Sequence, residues 1–171
     1  MIEVNGGAAR GRTNGVQDFA SSELFDRTFQ EGMELVEETA SYLDGSGRQD
    51  SKMLSRSAAL AYAGESMRLT TRLMQVASWL LVQRAVREGD MNPIEACQDR
   101  YRLADPTTEE ARGGQADDLP AGLLQLLERS ARLYERVLHL DRRMYKAAPA
   151  DDAIHPILSQ MEKLEAAFRR N

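Results

Sequence analysis

Side chains that could bind a metal ion are few in this sequence and lie far apart. The two histidines are His139 and His155, and neither follows a glutamate by three residues, which is the spacing used by helical di-metal sites. Asp152 precedes His155 at this spacing, but in a loop segment flanked by Pro149 and Pro156. We therefore expect no metal site.

Side chains that could act as a nucleophile or a general base are equally isolated. Cys97 is the single cysteine and has no histidine near it in the sequence, so we interpret it as a half-buried small residue. Glu34, Glu37 and Glu38 could do acid–base chemistry, but they belong to a generally acidic face that we expect to be solvated. The glycine motifs that bind phosphates or dinucleotides are absent from the sequence. We predict that the protein is not an enzyme and binds no cofactor.

The composition predicts a cytoplasmic protein of one domain. The length of 171 residues suits a single domain with its own core, and the net charge of −5 argues against general affinity for nucleic acid. The opening MIEVNGGAARGRTNG has no apolar stretch, so we expect no secretory signal. No apolar run approaches the ~20 residues needed to cross a bilayer. One cysteine fits a reducing compartment.

Hydrophobic periodicity predicts an all-α protein: an antiparallel three-helix bundle with a long central helix and short accessory helices. The first long helix is expected from about Ser21 to Leu43, where Asp44-Gly45-Ser46-Gly47 stops it. The central helix is expected from about Ser51 to Glu88, with Gly89 as its C-terminal cap. The third is expected from about Pro120 to Ala147.

Shorter segments complete the predicted organisation. Asn92-Pro93 is a good helix start, and this helix is expected to end near Leu103. Residues 104–118 are polar and contain two adjacent glycines, so we predict a flexible linker. A last amphipathic helix is expected from His155 to about Phe168, either docked on the bundle or mobile. The predicted division is a disordered lead-in at 1–17, a helical bundle at 18–148 and a short C-terminal helix within 149–171.

The first two long helices carry opposite charges. Between Asp18 and Asp44 there are eight Asp or Glu and one Arg, a net charge of −7. Between Ser51 and Glu88 there are six Lys or Arg and two Glu, a net charge of +4. This pattern favours antiparallel neighbours, although each exposed pair contributes only about 0.2–1 kcal/mol.

The central helix has large apolar residues at strict seven-residue intervals on one face. Such spacing is typical of a dimer seam or of a core, and a helix that is apolar on two sides must be covered on both. We expect this face to form either a seam between two copies or part of the core. The residues are Leu60, Met67, Met74 and Leu81.

A second stripe on the same helix is our predicted partner-binding site. Trp and Arg are the residue types that dominate interface hot spots. The alternative is that Glu65 pairs with Arg68 or Arg72 while Trp79 covers an edge of the bundle. The stripe consists of Arg68, Arg72, Gln75 and Trp79.

A basic run on the third long helix suggests a further, weaker hypothesis. Its residues are Arg129, Arg132, Arg136, His139 and Arg143. We interpret the run as a solvated face; it would be a nucleic-acid strip only if binding were strongly salt-dependent.

Three segments resemble the bacterial family named for the regulator of CtrA degradation: Ala59 to Asp90, the VEETASYLDG stretch from Val36 to Gly45, and LEAAF from Leu164 to Phe168. Together they span most of residues 21–168. The resemblance implies a compact, homodimeric helical bundle. It also implies a non-enzymatic adaptor that delivers cell-cycle regulators to the ClpXP protease, together with a response regulator that primes the protease. A structural or scaffolding helical dimer with no link to proteolysis is the alternative.

Overall fold

The protein is described by a computed structural model over residues 15–104 and 118–146. Within these ranges it is built from helices without a β-strand, so the predicted all-α fold is confirmed. The helices are α1 (Glu23–Asp44), α2 (Ser46–Lys52), α3 (Arg56–Glu88), α4 (Pro93–Ala96) and α5 (Ala121–Lys146), with a 3-10 turn at Asp99–Tyr101. A further helical segment covers 15–20.

The predicted central helix begins later than expected. The segment starting near Ser51 is divided, because α2 occupies Ser46–Lys52 and α3 begins only at Arg56. Ser55 caps α3: its hydroxyl accepts a hydrogen bond from the Ala58 N–H at 3.2 Å, which satisfies one of the donors left free at a helix start. The predicted stop after Asp44 therefore separates two helices and does not open a loop.

α3 is the longest helix, with 33 residues, or about 50 Å at ~1.5 Å per residue. It ends at Gly89, as the sequence predicts. Gly89 has a φ of 81° and donates its N–H to carbonyls of the last turn. Glycine adopts this left-handed conformation without the clash that a Cβ would cause.

α1 runs antiparallel to α3, as their charges predict. Asp26 near the start of α1 pairs with Arg87 at the end of α3. At the opposite end, Tyr42 of α1 and Tyr62 of α3 both pack around Gly47 of α2. α1 also runs antiparallel to α5, since two ion pairs of 2.6 Å link them in reverse order, Arg129–Glu38 and Arg136–Glu31.

α3 and α5 run in the same direction. Arg72 of α3 contacts Ser130 of α5 at 3.1 Å, and Trp79 contacts Asp141 at 2.9 Å, so both helices advance together. The connection from Gly89 onward makes this possible because it returns along the bundle, where Ala104 accepts a hydrogen bond from the Tyr134 hydroxyl. The three-helix core thus has one helix antiparallel to two parallel ones.

The connection is less helical than predicted. Asn92 does cap α4, accepting from the Ile94 N–H at 2.9 Å, but α4 has only four residues. Arg102 is extended, with φ −74° and ψ 150°, and this turns Leu103 into the core. Burying Leu103 explains why the helix does not continue to it. We call residues 99–104 the strap.

The predicted terminal segments and linker lie largely outside the described residues. Of the predicted lead-in, 1–14 lie outside the described residues, whereas 15–17 are helical and Val16 is buried in the core. Val16, Phe19 and Ala20 share one helical face. Three apolar residues in a polar sequence are only a weak indication of a helix. Within the described residues α5 reaches Lys146, and its predicted end at about Ala147 lies outside them. Most of the predicted linker, 105–117, and the predicted C-terminal helix lie outside the described residues.

Close packing at one end of the bundle gives a testable prediction. A Cβ on Gly122 would lie 2.5 Å from Cε2 of the Tyr42 ring, so Gly122→Ala should lower the free energy of unfolding by about 1–3 kcal/mol through overpacking. The control is Gly64→Ala, because a Cβ there meets nothing within 4 Å. It should stabilise α3 by about 0.5–1 kcal/mol. Urea unfolding followed by circular dichroism measures both, and an unchanged midpoint for Gly122→Ala would contradict the packing.

Candidate protein-binding surface

Four large apolar side chains form an exposed line along α3, which we call the stripe. Their exposed fractions are 77% for Leu60, 72% for Met67, 67% for Met74 and 51% for Leu81. They are therefore not part of the core of this chain. The opposite side of α3 supplies that core, through Leu69, Leu73, Val76 and Leu80. Of the two interpretations of this spacing, the seam remains as a prediction.

The stripe is bordered by small, uncharged residues. Ala63, Gly64, Thr70, Thr71 and Ser78 are exposed on the same side of α3. Small side chains allow another helix to approach closely, since the distance between packed helices depends on the side chains at the contact. The charged residues of this stretch point elsewhere: Glu65 is buried and accepts from Arg68 at 2.7 Å. The stripe is thus an exposed apolar surface with room for another helix to approach.

Residue sizes along this surface are symmetric about the Thr70–Thr71 peptide bond. Reading outward in both directions, each residue meets one of similar size. The pairs are Thr70 with Thr71, Met67 with Met74, Gly64 with Ala77, Ala63 with Ser78, and Leu60 with Leu81. A two-fold axis through this bond would place Met67 of one copy opposite Met74 of the other, and Leu60 opposite Leu81.

The residues predicted to bind partners, Arg68, Arg72, Gln75 and Trp79, are a different set and lie between α3 and α5. Trp79 is only 2% exposed, and its Nε1–H donates to Oδ1 of Asp141 at 2.9 Å. Arg72 donates to the Ser130 hydroxyl at 3.1 Å and contacts the Leu127 carbonyl. These contacts serve the packing of the bundle.

The other two predicted partner-binding residues, Arg68 and Gln75, are half-buried. Arg68 pairs with Glu65 at 2.7 Å, which is the alternative stated for the sequence, and Gln75 lies beside the strap. A role of Arg68, Arg72, Gln75 and Trp79 in partner binding stays a prediction, but Trp79 is positioned as a core residue.

Asp141 is a buried hydrogen-bond partner of Trp79 that the sequence analysis did not predict. It is fully buried and accepts from Trp79, from the Leu103 N–H and, at 3.5 Å, from Arg102 of the strap. Burial raises the pKa of its carboxyl, and the Trp79 hydrogen bond and the Arg102 charge oppose this rise. Two features of the sequence could have indicated it. Asp141 lies on the core face of α5 with Val137 and Met144, and a buried indole N–H needs a hydrogen-bond acceptor.

The basic run of α5 is largely neutralised by the protein itself. Arg129 and Arg136 pair with Glu38 and Glu31 of α1, and Arg132 pairs with Glu128. A strip whose cations are already paired releases fewer counterions on binding nucleic acid. The nucleic-acid hypothesis therefore gains no support from this surface.

The described ranges, 15–104 and 118–146, lack both a cluster of metal-binding side chains and a membrane-spanning helix. No cluster of three or more His, Cys, Asp or Glu side chains there could hold a metal ion. No helix of that part of the chain is both long enough and apolar enough to cross a bilayer.

Comparisons with known proteins identify relatives of this chain. The model of a family described as "Protein of unknown function (DUF1465)" matches residues 16–168. Among solved structures, the chain is similar to the crystal structure of RcdA from Caulobacter crescentus CB15, with 69% sequence identity and a TM-score of 0.63. The match covers 75% of this chain and 97% of that one. No curated protein matches the sequence.

Proposed function

Because this chain belongs to the RcdA family (DUF1465), we propose that it is a non-enzymatic cytoplasmic adaptor for regulated proteolysis. It holds substrate regulators of the cell cycle and delivers them to the ClpXP protease, which a response regulator primes. An adaptor accelerates degradation by raising the local concentration of cargo at the protease. It requires surfaces for proteins and no reaction chemistry of its own.

The exposed stripe of α3 is the observation that carries this proposal. Met67 and Met74 lie at its centre, and their side chains are unbranched and adaptable, which suits surfaces that accept different partners. Covering a large apolar side chain stabilises a complex by about 1.5–3 kcal/mol before ordering costs. Exposed apolar surface of this kind often marks a site of protein–protein contact.

The same surface supports a homodimer. In an antiparallel pair of α3 helices with the two-fold axis at Thr70–Thr71, Met67 of one copy faces Met74 of the other, and Leu60 faces Leu81. The stripe spans about 32 Å, from 21 residues at ~1.5 Å each. The four stripe residues are uncharged, so they add no like-charge repulsion to self-association.

A scaffolding dimer is the second candidate function. It is supported by the exposed apolar stripe, because a second copy could cover this surface without any cargo. This candidate shares the dimer with the adaptor and differs only in having no effect on proteolysis.

A reconstituted degradation assay tests the adaptor. It contains ClpXP, its priming response regulator and a candidate cargo from the same organism, with increasing amounts of this protein. We expect cargo loss to accelerate until the adaptor is stoichiometric with the protease. An unchanged rate, with the protease active on a control substrate and the protein dimeric, would reject delivery of that cargo and favour the scaffold.

A further inference from the structure

A groove of about 320 Å³ opens between α1 and α3, beside the stripe. Its lining is mostly apolar and includes Val36 and Leu43 of α1 and Leu73 and Met74 of α3. Nothing within the described residues fills it. A groove of this size admits two or three apolar side chains of an adjacent helix.

One buried polar group lines the groove without a partner. Thr39 is 4% exposed, and its Oγ1 has no hydrogen-bond partner among the described residues. Because buried polar atoms are almost always hydrogen-bonded, this hydroxyl is one of the exceptions among the described residues.

The α1 rim of the groove is negatively charged. Asp44 lines the groove, and Glu37 lies seven residues before it on the same face of α1. Neither carboxylate forms an ion pair within 15–104 or 118–146. Asp44 is also the last residue of α1, whose last turn has no basic residue. A carboxylate at a helix C-terminus is unfavourable, so this end of the groove favours a cation.

The sequence after α5 has the complementary pattern. Ile157, Met161, Leu164 and Phe168 fall within one narrow arc when placed at helical steps. Lys163 and Arg170 are seven residues apart and lie about 130–150° around the helix from the centre of that arc, so their long side chains must extend back towards it to reach the rim of the groove. Seven helical residues span about 10.5 Å, so these two cations have the same separation along a helix as Glu37 and Asp44.

The chain is long enough to reach the groove. The pairs Arg129–Glu38 and Arg136–Glu31 place Lys146 level with the start of α1, about 24 Å from Glu37 along the bundle. Residues 147–154 span up to about 26 Å when extended, and a helix over 155–163 adds about 12 Å. The segment would then run parallel to α1, with Lys163 beside Glu37 and Arg170 beside Asp44.

We propose that the chain's own residues 155–171 dock in the α1–α3 groove, with their apolar face on Val36, Leu43 and Leu73 and with Lys163 and Arg170 paired to Glu37 and Asp44. This contact does not rest on the proposed adaptor function, although the groove shares Thr70, Met74 and Ala77 with the proposed seam. It covers the side of α3 next to the stripe, and it includes Met74, which the groove and the stripe share.

Paramagnetic broadening in the full chain tests the contact. A spin label is attached at Ala166→Cys, on the polar side of the segment, in a Cys97→Ser background. We expect the amides of Val36, Ala40 and Leu43 to lose most of their NMR intensity, with recovery on reduction of the label. Glu37→Lys/Asp44→Lys should restore the intensities, and adding Lys163→Glu/Arg170→Glu should remove them again, because the charges are then exchanged.

Three results would overturn the proposal. The first is an absence of broadening at these amides. The second is broadening that ignores the charge reversals. The third is broadening that arises between molecules, seen when a spin-labelled, isotopically unlabelled chain is mixed with an isotope-labelled chain without the spin label; this would assign the groove to a second copy. The amide spectrum of each variant verifies that the bundle is folded.

Discussion

Asp141→Ala is expected to destabilise the bundle by about 2–4 kcal/mol. The carboxylate accepts from Trp79 on α3 and from Leu103 and Arg102 on the strap, so its removal leaves buried donors without an acceptor. Because Asp141 is fully buried, water cannot readily take its place as the acceptor for these donors. The chain has a single tryptophan, Trp79, whose fluorescence reports urea unfolding at the site itself.

Asp141→Asn separates hydrogen bonding from charge. Its Oδ1 still accepts from Trp79, so we expect a smaller loss of stability than for alanine. Burial raises the pKa of Asp141 above 3.8 in the folded chain, so the unfolded chain loses this proton first. The group's contribution to stability is therefore full below pH 3.8 and declines as pH rises through the raised pKa. The asparagine variant should lack this decline.

Glu135→Ala serves as the control, because Glu135 is an exposed carboxylate of the same helix. It should change stability by less than about 0.5 kcal/mol. If Asp141→Ala unfolds at the same urea concentration as Glu135→Ala, the strap is not held by this carboxylate.

Met67→Glu/Met74→Glu is expected to convert the proposed dimer into a folded monomer. Both side chains are mostly exposed in the single chain, so the substitutions should alter its own stability by less than about 0.5 kcal/mol each. At the proposed seam they place four carboxylates around the two-fold axis, two from each copy. Like charges brought together at an interface cost several kcal/mol, which predicts at least a hundredfold weaker self-association by about 1.4 kcal/mol per tenfold.

Light scattering across a concentration series measures this effect. Gln98→Glu/Gln125→Glu is the matched control, since it adds the same charges at exposed positions off the stripe. It should remain dimeric. A dimer that survives Met67→Glu/Met74→Glu would place the seam elsewhere, and an unfolded chain would contradict the exposure of these two residues.

The elements of this fold were predictable where local chemistry determines them. Gly89 ends α3 because a left-handed cap requires glycine, and Asn92 begins α4 because its side chain satisfies a free N–H. The start of α3 was harder to predict. Ser55 caps it, but serines also stand at 46, 51 and 57, and only packing selects among them.

Features that depend on distant contacts could not be read from the sequence. Trp79 and Asp141 are 62 residues apart, so the pattern around Trp79 favoured an interface as much as a buried hydrogen bond. The parallel course of α3 and α5 depends on how the strap returns along the bundle, which periodicity does not encode.

The stripe shows why the candidate site was only half predictable. A seven-residue repeat describes a core and a seam equally well, because both are apolar faces of a helix. Packing within the chain excludes the core, because α1 and α5 cover the face with Leu69 and Leu80 and leave Met67 and Met74 exposed. The seam stays a prediction.

The central claim is that the stripe of α3 is the surface through which this adaptor works. Its most direct test is the rate of cargo loss in the reconstituted ClpXP reaction with equal amounts of the parent chain, Met67→Glu/Met74→Glu and Gln98→Glu/Gln125→Glu. The account predicts that the parent and the glutamine control accelerate degradation equally, whereas the methionine variant remains folded and loses most of the acceleration. Full acceleration by a folded methionine variant would contradict it.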